Sequence, residues 1–178
     1  MRLAVYGGSF DPVHRGHLAV ADAARRHLRP ARLLWVPARQ APHKPGRTPA
    51  PAADRVALLE RALAGREGEE LCLLEVERPG PSYTVDTLEA LRASFPDAAL
   101  TLVMGADSLA HLGTWKDLGR ILELAALALA PRPGWGPEAL ARFRAGLDPG
   151  LAARLRASFL PMAEVPVSST ELRELLRA

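Results

Sequence analysis

Short apolar runs alternate with helix-period segments along this chain of 178 residues. The runs Arg2 to Tyr6, Arg32 to Val36, Leu71 to Val76, Ala99 to Met104 and Ala126 to Ala130, with a weaker one from Phe159 to Ala163, are nearly continuous in apolar residues. Such runs suit strands buried on both faces. Between them the helical period recurs at His17 to Leu28, Asp54 to Ala64, Thr84 to Ser94, Leu118 to Leu124, Glu138 to Gly146 and Ser169 to Arg177. This alternation predicts an α/β fold, a doubly wound parallel sheet in one domain over residues 1–178, with ligands gathering at the carboxyl ends of the strands. Two stretches break the pattern. Pro37 to Pro51 and Ala130 to Pro137 are rich in proline and poor in apolar anchors, and both read as long loops that move.

The first predicted strand runs into Gly7-Gly8-Ser9-Phe10-Asp11-Pro12-Val13-His14-Arg15-Gly16-His17. A strand ending in glycines and giving way to a helix brings bare backbone N–H groups and a helix N-terminus together, which favours anions. Two histidines stand in that stretch, and imidazole N–H groups suit phosphate oxygens whose charge grows during a reaction. Nucleotide chemistry is the consequence. A bare Gly-Gly is also compatible with an ordinary tight turn. A zinc reading of His14 and His17 lacks a Cys or a third His at ligand spacing, so no metal ligand is assigned.

Composition narrows the classes further. With 48% hydrophobic and 24% charged residues the chain reads as an ordinary globular protein, and its apolar runs fall short of the roughly 18 residues that span a membrane. Met1-Arg2-Leu3 leads directly into a strand rather than a signal peptide, which places the protein in the cytoplasm. The single cysteine, Cys72, lies in Leu71-Cys72-Leu73-Leu74 and reads as a buried, inert thiol. The formal charge is +3. Its basic residues, Arg55, Arg61 and Arg66 among them, are interleaved with acids along helices, which fits small anionic substrates and lacks the basic-aromatic array of a nucleic-acid binder. The lack of Asn, with one Gln and two Lys against many Arg and Pro, is compatible with a thermophile or with a GC-rich genome.

Further polar clusters follow the predicted strands. His43-Lys44 in the first long loop offers a mobile cation for a triphosphate. Pro81-Ser82-Tyr83-Thr84 opens a helix with Ser82 or Thr84 as its N-cap. Gly105-Ala106-Asp107 suggests close backbone approach to a ligand and a carboxylate for ribose hydroxyls, or a helix cap at Asp107. Trp115 either stacks on a planar ring or fills core space. Ser168 and Glu171 have capping-box spacing, and the same helix start, with Arg173 one turn in, would also clamp phosphate.

Together Gly7 to His17, Pro42-His43-Lys44, Ser82-Tyr83-Thr84, Thr87-Leu88, Gly105 to Leu109, Thr114-Trp115, Arg132-Pro133-Gly134 and Ser168-Ser169-Thr170 with Arg173 resemble the bacterial nicotinate-nucleotide adenylyltransferases, which carry the His-x-Gly-His motif of a wider nucleotidyltransferase superfamily. The resemblance covers the whole chain. It implies a Rossmann-like fold, ATP and nicotinate mononucleotide as substrates, Mg²⁺ as cofactor, and deamido-NAD and pyrophosphate as products, by in-line attack of the mononucleotide phosphate on the α-phosphorus. It also implies catalytic roles for His14, His17, Lys44 and Arg173. ATP would be bound by Gly7, Gly8, Ser9, Phe10, Gly105, Asp107, Ser168, Ser169 and Thr170, and the nicotinate half by His43, Ser82, Tyr83, Thr84 and Trp115. Transfer to nicotinamide mononucleotide or to phosphopantetheine, and a nucleotide-binding regulator without turnover, are the alternatives. Neither nucleic acid nor membrane is expected as a partner, and a homo-oligomer is open.

Overall fold

The computed structural model describes residues 1–42, 49–163 and 165–175. Six strands, β1 (Arg2–Gly8), β2 (Arg32–Pro37), β3 (Glu69–Leu71), β4 (Ala99–Gly105), β5 (Ala125–Ala130) and β6 (Ala157–Phe159), form a sheet ordered β3-β2-β1-β4-β5-β6. Every neighbouring pair is parallel. The helices among the described residues are α1 (Arg15–Leu28), α2 (Ala52–Leu63), α3 (Leu74–Glu77), α4 (Thr84–Ser94), α5 (Leu109–Leu112), α6 (Leu118–Leu124), α7 (Pro137–Ala145), α8 (Pro149–Arg154) and α9 (Ser169–Leu175). The chain order reverses direction between β1 and β4, so their carboxyl ends part and leave a crevice.

Strand side chains alternate between two cores. Leu3, Val5, Leu34, Val36, Leu100, Leu102, Leu127 and Leu129 face Val85, Leu88, Leu91, Ile121 and Leu122 of α4 and α6. On the other face Ala4, Tyr6, Leu33, Trp35, Val103, Ala128 and Ala130 meet Val20, Ala21 and Ala24 of α1 and Leu59 of α2. Small residues on that face bring α1 close to the sheet, which seats its N-terminus directly over the end of β1. Near-continuous apolar strands therefore mean what the sequence pattern implied, burial on both sides.

Three details differ from the expectation. The apolar run Leu71 to Val76 is not a strand: β3 comprises Glu69–Leu71, and α3 begins at Leu74. Cys72 still donates its N–H to the Trp35 carbonyl, but further along the partner strand stands Pro37, which has no N–H to continue the ladder. The last strand ends at Phe159 rather than reaching Ala163, since Pro161 interrupts it in the same way. The Ala130 to Pro137 stretch is a tight turn, with Trp135 donating to the Arg132 carbonyl at 2.9 Å and Gly134 at φ 76°, and Trp135 packs on the core. Helices of four to six residues, α3, α5 and α8, are too short to show a period.

The short edge strand is fastened by one carboxylate. The Glu69 side chain is 2% exposed, accepts from Trp35 Nε1 at 2.9 Å and from Arg66 at 2.8 Å, and Arg66 also pairs with Asp22 of α1. Replacing Glu69 by Ala leaves the Trp35 N–H without that acceptor and is expected to lower stability by on the order of 2–3 kcal/mol. Urea titration followed by tryptophan fluorescence checks this, with an unchanged midpoint as the contrary result.

Candidate active site

The turn from β1 into α1 is built by its two histidines. His14 is the N-cap of α1: its Nδ1 accepts from the Gly16 N–H at 3.1 Å, while His17 Nδ1 accepts from the His14 N–H at 3.2 Å. This is a capping box with imidazoles in place of the usual hydroxyl and carboxylate. An accepting Nδ1 carries no proton, so each neutral ring carries its proton on Nε2, as a donor for an incoming anion. The rings stack with centroids 3.8 Å apart. Gly16 permits this: a Cβ there would stand 3.0 Å from the His14 ring and 3.0 Å from Val167 Cγ1.

The preceding loop is held from below. Phe10 has a buried ring, and at φ 45° it turns that ring edge-on to Tyr6 at 5.4 Å and to His17 at 5.1 Å. It supports a histidine and touches no open space. Arg55, read from sequence as one of the basic residues interleaved with acids along helices, is 1% exposed. Its guanidinium donates to the Ser9 carbonyl at 2.7 Å and to the Ala50 carbonyl at 3.0 Å, and Asp11 accepts from the Ala50 N–H at 3.3 Å. The far end of the chain closes the same loop: Ser169 Oγ donates to the Pro12 carbonyl at 3.1 Å, and Arg173 donates to the Asp11 carbonyl and, at 2.9 Å, to Thr170 Oγ1. The expected capping box of α9 is present, with Ser168 N–H on Glu171 at 2.8 Å and Glu171 N–H on Ser168 Oγ at 3.2 Å. Ser169, Thr170 and Arg173 thus come beside the anion loop although more than 150 residues separate them.

Beside this loop opens a cleft of about 620 Å³ at the carboxyl ends of β1 and β4. Gly7, Gly8, Ser9, Gly105 and Asp107 line one part of it, and Ser82, Thr84, Trp115, Trp135 and Glu75 another. Asp107 is not a side-chain cap; its carboxylate lies 3.7 Å from the Arg132 guanidinium. Ser82 is not a cap either. Its Oγ accepts from the Arg39 and Gln40 N–H groups at 2.9 and 3.4 Å, so it ties the loop after β2 to the start of α4. Tyr83 is the N-cap residue of α4 and makes no side-chain cap bond; its ring lies under Lys116 Nζ at 4.8 Å, away from the cleft lining. His43 and Lys44 lie outside the described residues. The sequence assigns no site role to Glu75, Arg55 or Trp135, and none to Arg132 beyond its place in a matched segment; Arg55 carries a signal of its own, as a charge four residues before Leu59 on the buried face of its helix. Cys72 is half-buried, and burial pushes its thiol up from its ordinary range, consistent with inertness.

Comparison with known proteins decides among the chemistries this site permits. A cytidylyltransferase-like family model matches residues 5–175. A probable nicotinate-nucleotide adenylyltransferase of Thermomicrobium roseum is 42% identical over 97% of this chain and 78% of its own length, and one of Gloeobacter violaceus is 42% identical over 99% and 84%. The chain belongs to the nicotinate-nucleotide adenylyltransferase family. Its fold is shared with the nicotinic acid mononucleotide adenylyltransferase of Plasmodium falciparum complexed with NaAD, at a TM-score of 0.78 and 17% identity over 98% of this chain and 83% of the other. No described helix is long and apolar enough to cross a membrane.

Burial, then the nearby Arg132 guanidinium, holds the His14 pKa below its ordinary 6.5, with Glu171 opposing. The folded protein therefore resists protonation that the unfolded chain accepts. The stability contributed by His14 is complete above about pH 6.5 and is lost as pH falls below it. Thermal unfolding of the wild type and of His14→Gln between pH 5 and 8 is expected to show the wild type losing ground to the variant as pH drops. Parallel curves would contradict the lowered pKa.

Proposed function

We propose that this chain transfers the adenylyl group of ATP to nicotinate mononucleotide, releasing pyrophosphate and forming deamido-NAD. The observation that carries the reading is the reciprocal histidine cap, two Nε2–H donors fixed at a helix N-terminus beside a nucleotide-sized cleft. Relatives at 42% identity that bear this name support it. An acceptor phosphate oxygen attacks the α-phosphorus in line, and the bond to the bridging oxygen of the β-phosphate breaks as pyrophosphate takes up the electron pair. The nucleophile is already an anion, so positioning and charge stabilisation carry the rate.

In this reading His14 and His17 donate to the phosphate oxygens, with Arg173, Ser169 and Thr170 beside the same loop and Lys44 reaching in from the first long loop. Gly7, Gly8, Ser9, Gly105 and Asp107 take the adenosine side. Trp115 stacks on the pyridine ring, and the N–H groups of the first turn of α4, beside Thr84, serve its carboxylate; Asp86 in that turn is neutralised by Lys116 at 2.8 Å. The loop's own donors are N–H groups, imidazoles and guanidinium, which fit phosphate oxygens and not a cation. Mg²⁺, when bound, would accompany the triphosphate and neutralise part of its charge, and no ligand of this chain is assigned to it. ATP consumption places the work in the cytoplasm.

With ATP and Mg²⁺ saturating, nicotinate mononucleotide is expected to exceed nicotinamide mononucleotide by about tenfold or more in kcat/KM, since an amide turns a donor toward donors. A panel including phosphopantetheine, with products separated chromatographically, tests this. Equal efficiency with both mononucleotides would remove the carboxylate-specific reading, and transfer to phosphopantetheine alone would remove the mononucleotide.

His17→Ala is expected to lower kcat by about 10²-fold while ATP still binds, as a lost donor to developing charge does. Single-turnover pyrophosphate release measures it. A kcat near wild type would take His17 out of the chemistry.

A further inference from the structure

Glu75 is a charged residue on the wall of a cleft, 7% exposed, in a four-residue helix that has no other evident task. Its surroundings are directional. The Ser82 hydroxyl accepts the Arg39 and Gln40 N–H groups, which engages both of its lone pairs, so its own proton goes to the Glu75 carboxyl. From the other side Thr87 Oγ1 donates to Glu75 Oε1 at 2.7 Å, while Arg78 donates to Thr87 Oγ1 at 3.2 Å. Two chains of donors, one from the loop after β2 and one from α4, end on the same carboxyl group.

We propose that Glu75 is a positioning residue for the acceptor nucleotide, pinning through Ser82 and Thr87 the two walls, Ala38 to Pro42 and the start of α4, between which the pyridine ring lies. The proposal rests on the reading that this part of the cleft takes the acceptor. Ser82 also donates its N–H to the Gln40 carbonyl at 2.9 Å, so the two segments are joined at backbone and side chain alike. Only an acceptor with two oxygens satisfies both hydroxyls. Glutamine would present its NH₂ to one of them, and that wall would shift. Burial raises the Glu75 pKa, and the Thr87 and Ser82 bonds and the Arg78 charge oppose it by favouring the carboxylate that accepts from both hydroxyls.

The experiment compares the wild type with Glu75→Gln, Thr87→Val and Trp115→Ala, measuring KM for each substrate and kcat at pH 7.5. Glu75→Gln is expected to raise the acceptor KM by about tenfold, with ATP KM and kcat within about threefold of wild type. Thr87→Val, nearly isosteric, is expected to do the same to a smaller degree, and carries the test alone if Glu75→Gln does not fold. A Glu75→Gln/Ser82→Ala double variant is expected to be no worse than the poorer single one, because both break one network. An unchanged acceptor KM in folded Glu75→Gln, or in Thr87→Val when the former does not fold, overturns the proposal. So does a joint rise of both KM values with a fall in kcat, the mark of general damage. Trp115→Ala separates the two levels: if it raises the acceptor KM and Glu75→Gln does not, only the Glu75 role fails. If Trp115→Ala leaves it unchanged, the acceptor assignment of this cleft and the proposal fall together.

Discussion

A buried guanidinium holds the loop on which the site depends. Arg55 gives up solvent almost completely, and its donors end on the carbonyls of Ser9 and Ala50, with the Asp11 carboxylate close enough to offset its charge. Burying a cation is costly unless its hydrogen bonds are met, so this arrangement persists only if the loop keeps its shape. The shape in turn orients the amides and imidazoles at the head of α1. A positive φ at Phe10 and the packing of its ring under His17 belong to the same constraint. The loop is rigid because several unlike interactions require one conformation.

Charge is divided along the cleft. Around this loop stand N–H groups, the two imidazoles, of which His14 has its pKa lowered by burial, and the guanidinium groups of Arg132 and Arg173, which suits a triphosphate and a leaving pyrophosphate. Toward Trp115 the lining is apolar and hydroxylic apart from the His111 imidazole, with the start of α4 supplying partial positive charge and Glu75 held in a buried network. A transfer between two anionic partners needs both regions to favour negative charge without trapping it. Neutral donors serve this better than fixed cations, and the Nδ1 bonds within the histidine cap fix which donor is presented.

Linkage between distant segments follows from topology. A parallel sheet with the order β3-β2-β1-β4-β5-β6 delivers the ends of β1, β2, β4 and β5 to one edge, so residues from four loops meet there. The C-terminal helix α9 then reaches back to Pro12 and Asp11 by side-chain donors.

The sequence by itself determined the alternating α/β order, the burial of the central strands on both faces, the glycine-to-helix turn that holds His14 and His17, and the capping box at Ser168 and Glu171. Those features are local: apolar period, turn chemistry and cap spacing are set by residues within a few positions of each other. Only the tertiary structure decided that Arg55 lies inside, that the Phe10 ring packs against His17, that Ser82 bridges to Arg39 and Gln40 rather than capping α4, and that Glu75 ends in the cleft wall. Each of these depends on a partner 7 to 46 residues away, as with Ser82 and Arg39 or Arg55 and Ser9. No local pattern encodes which distant carbonyl or hydroxyl a side chain will meet, because that is fixed by where the sheet brings its loops together.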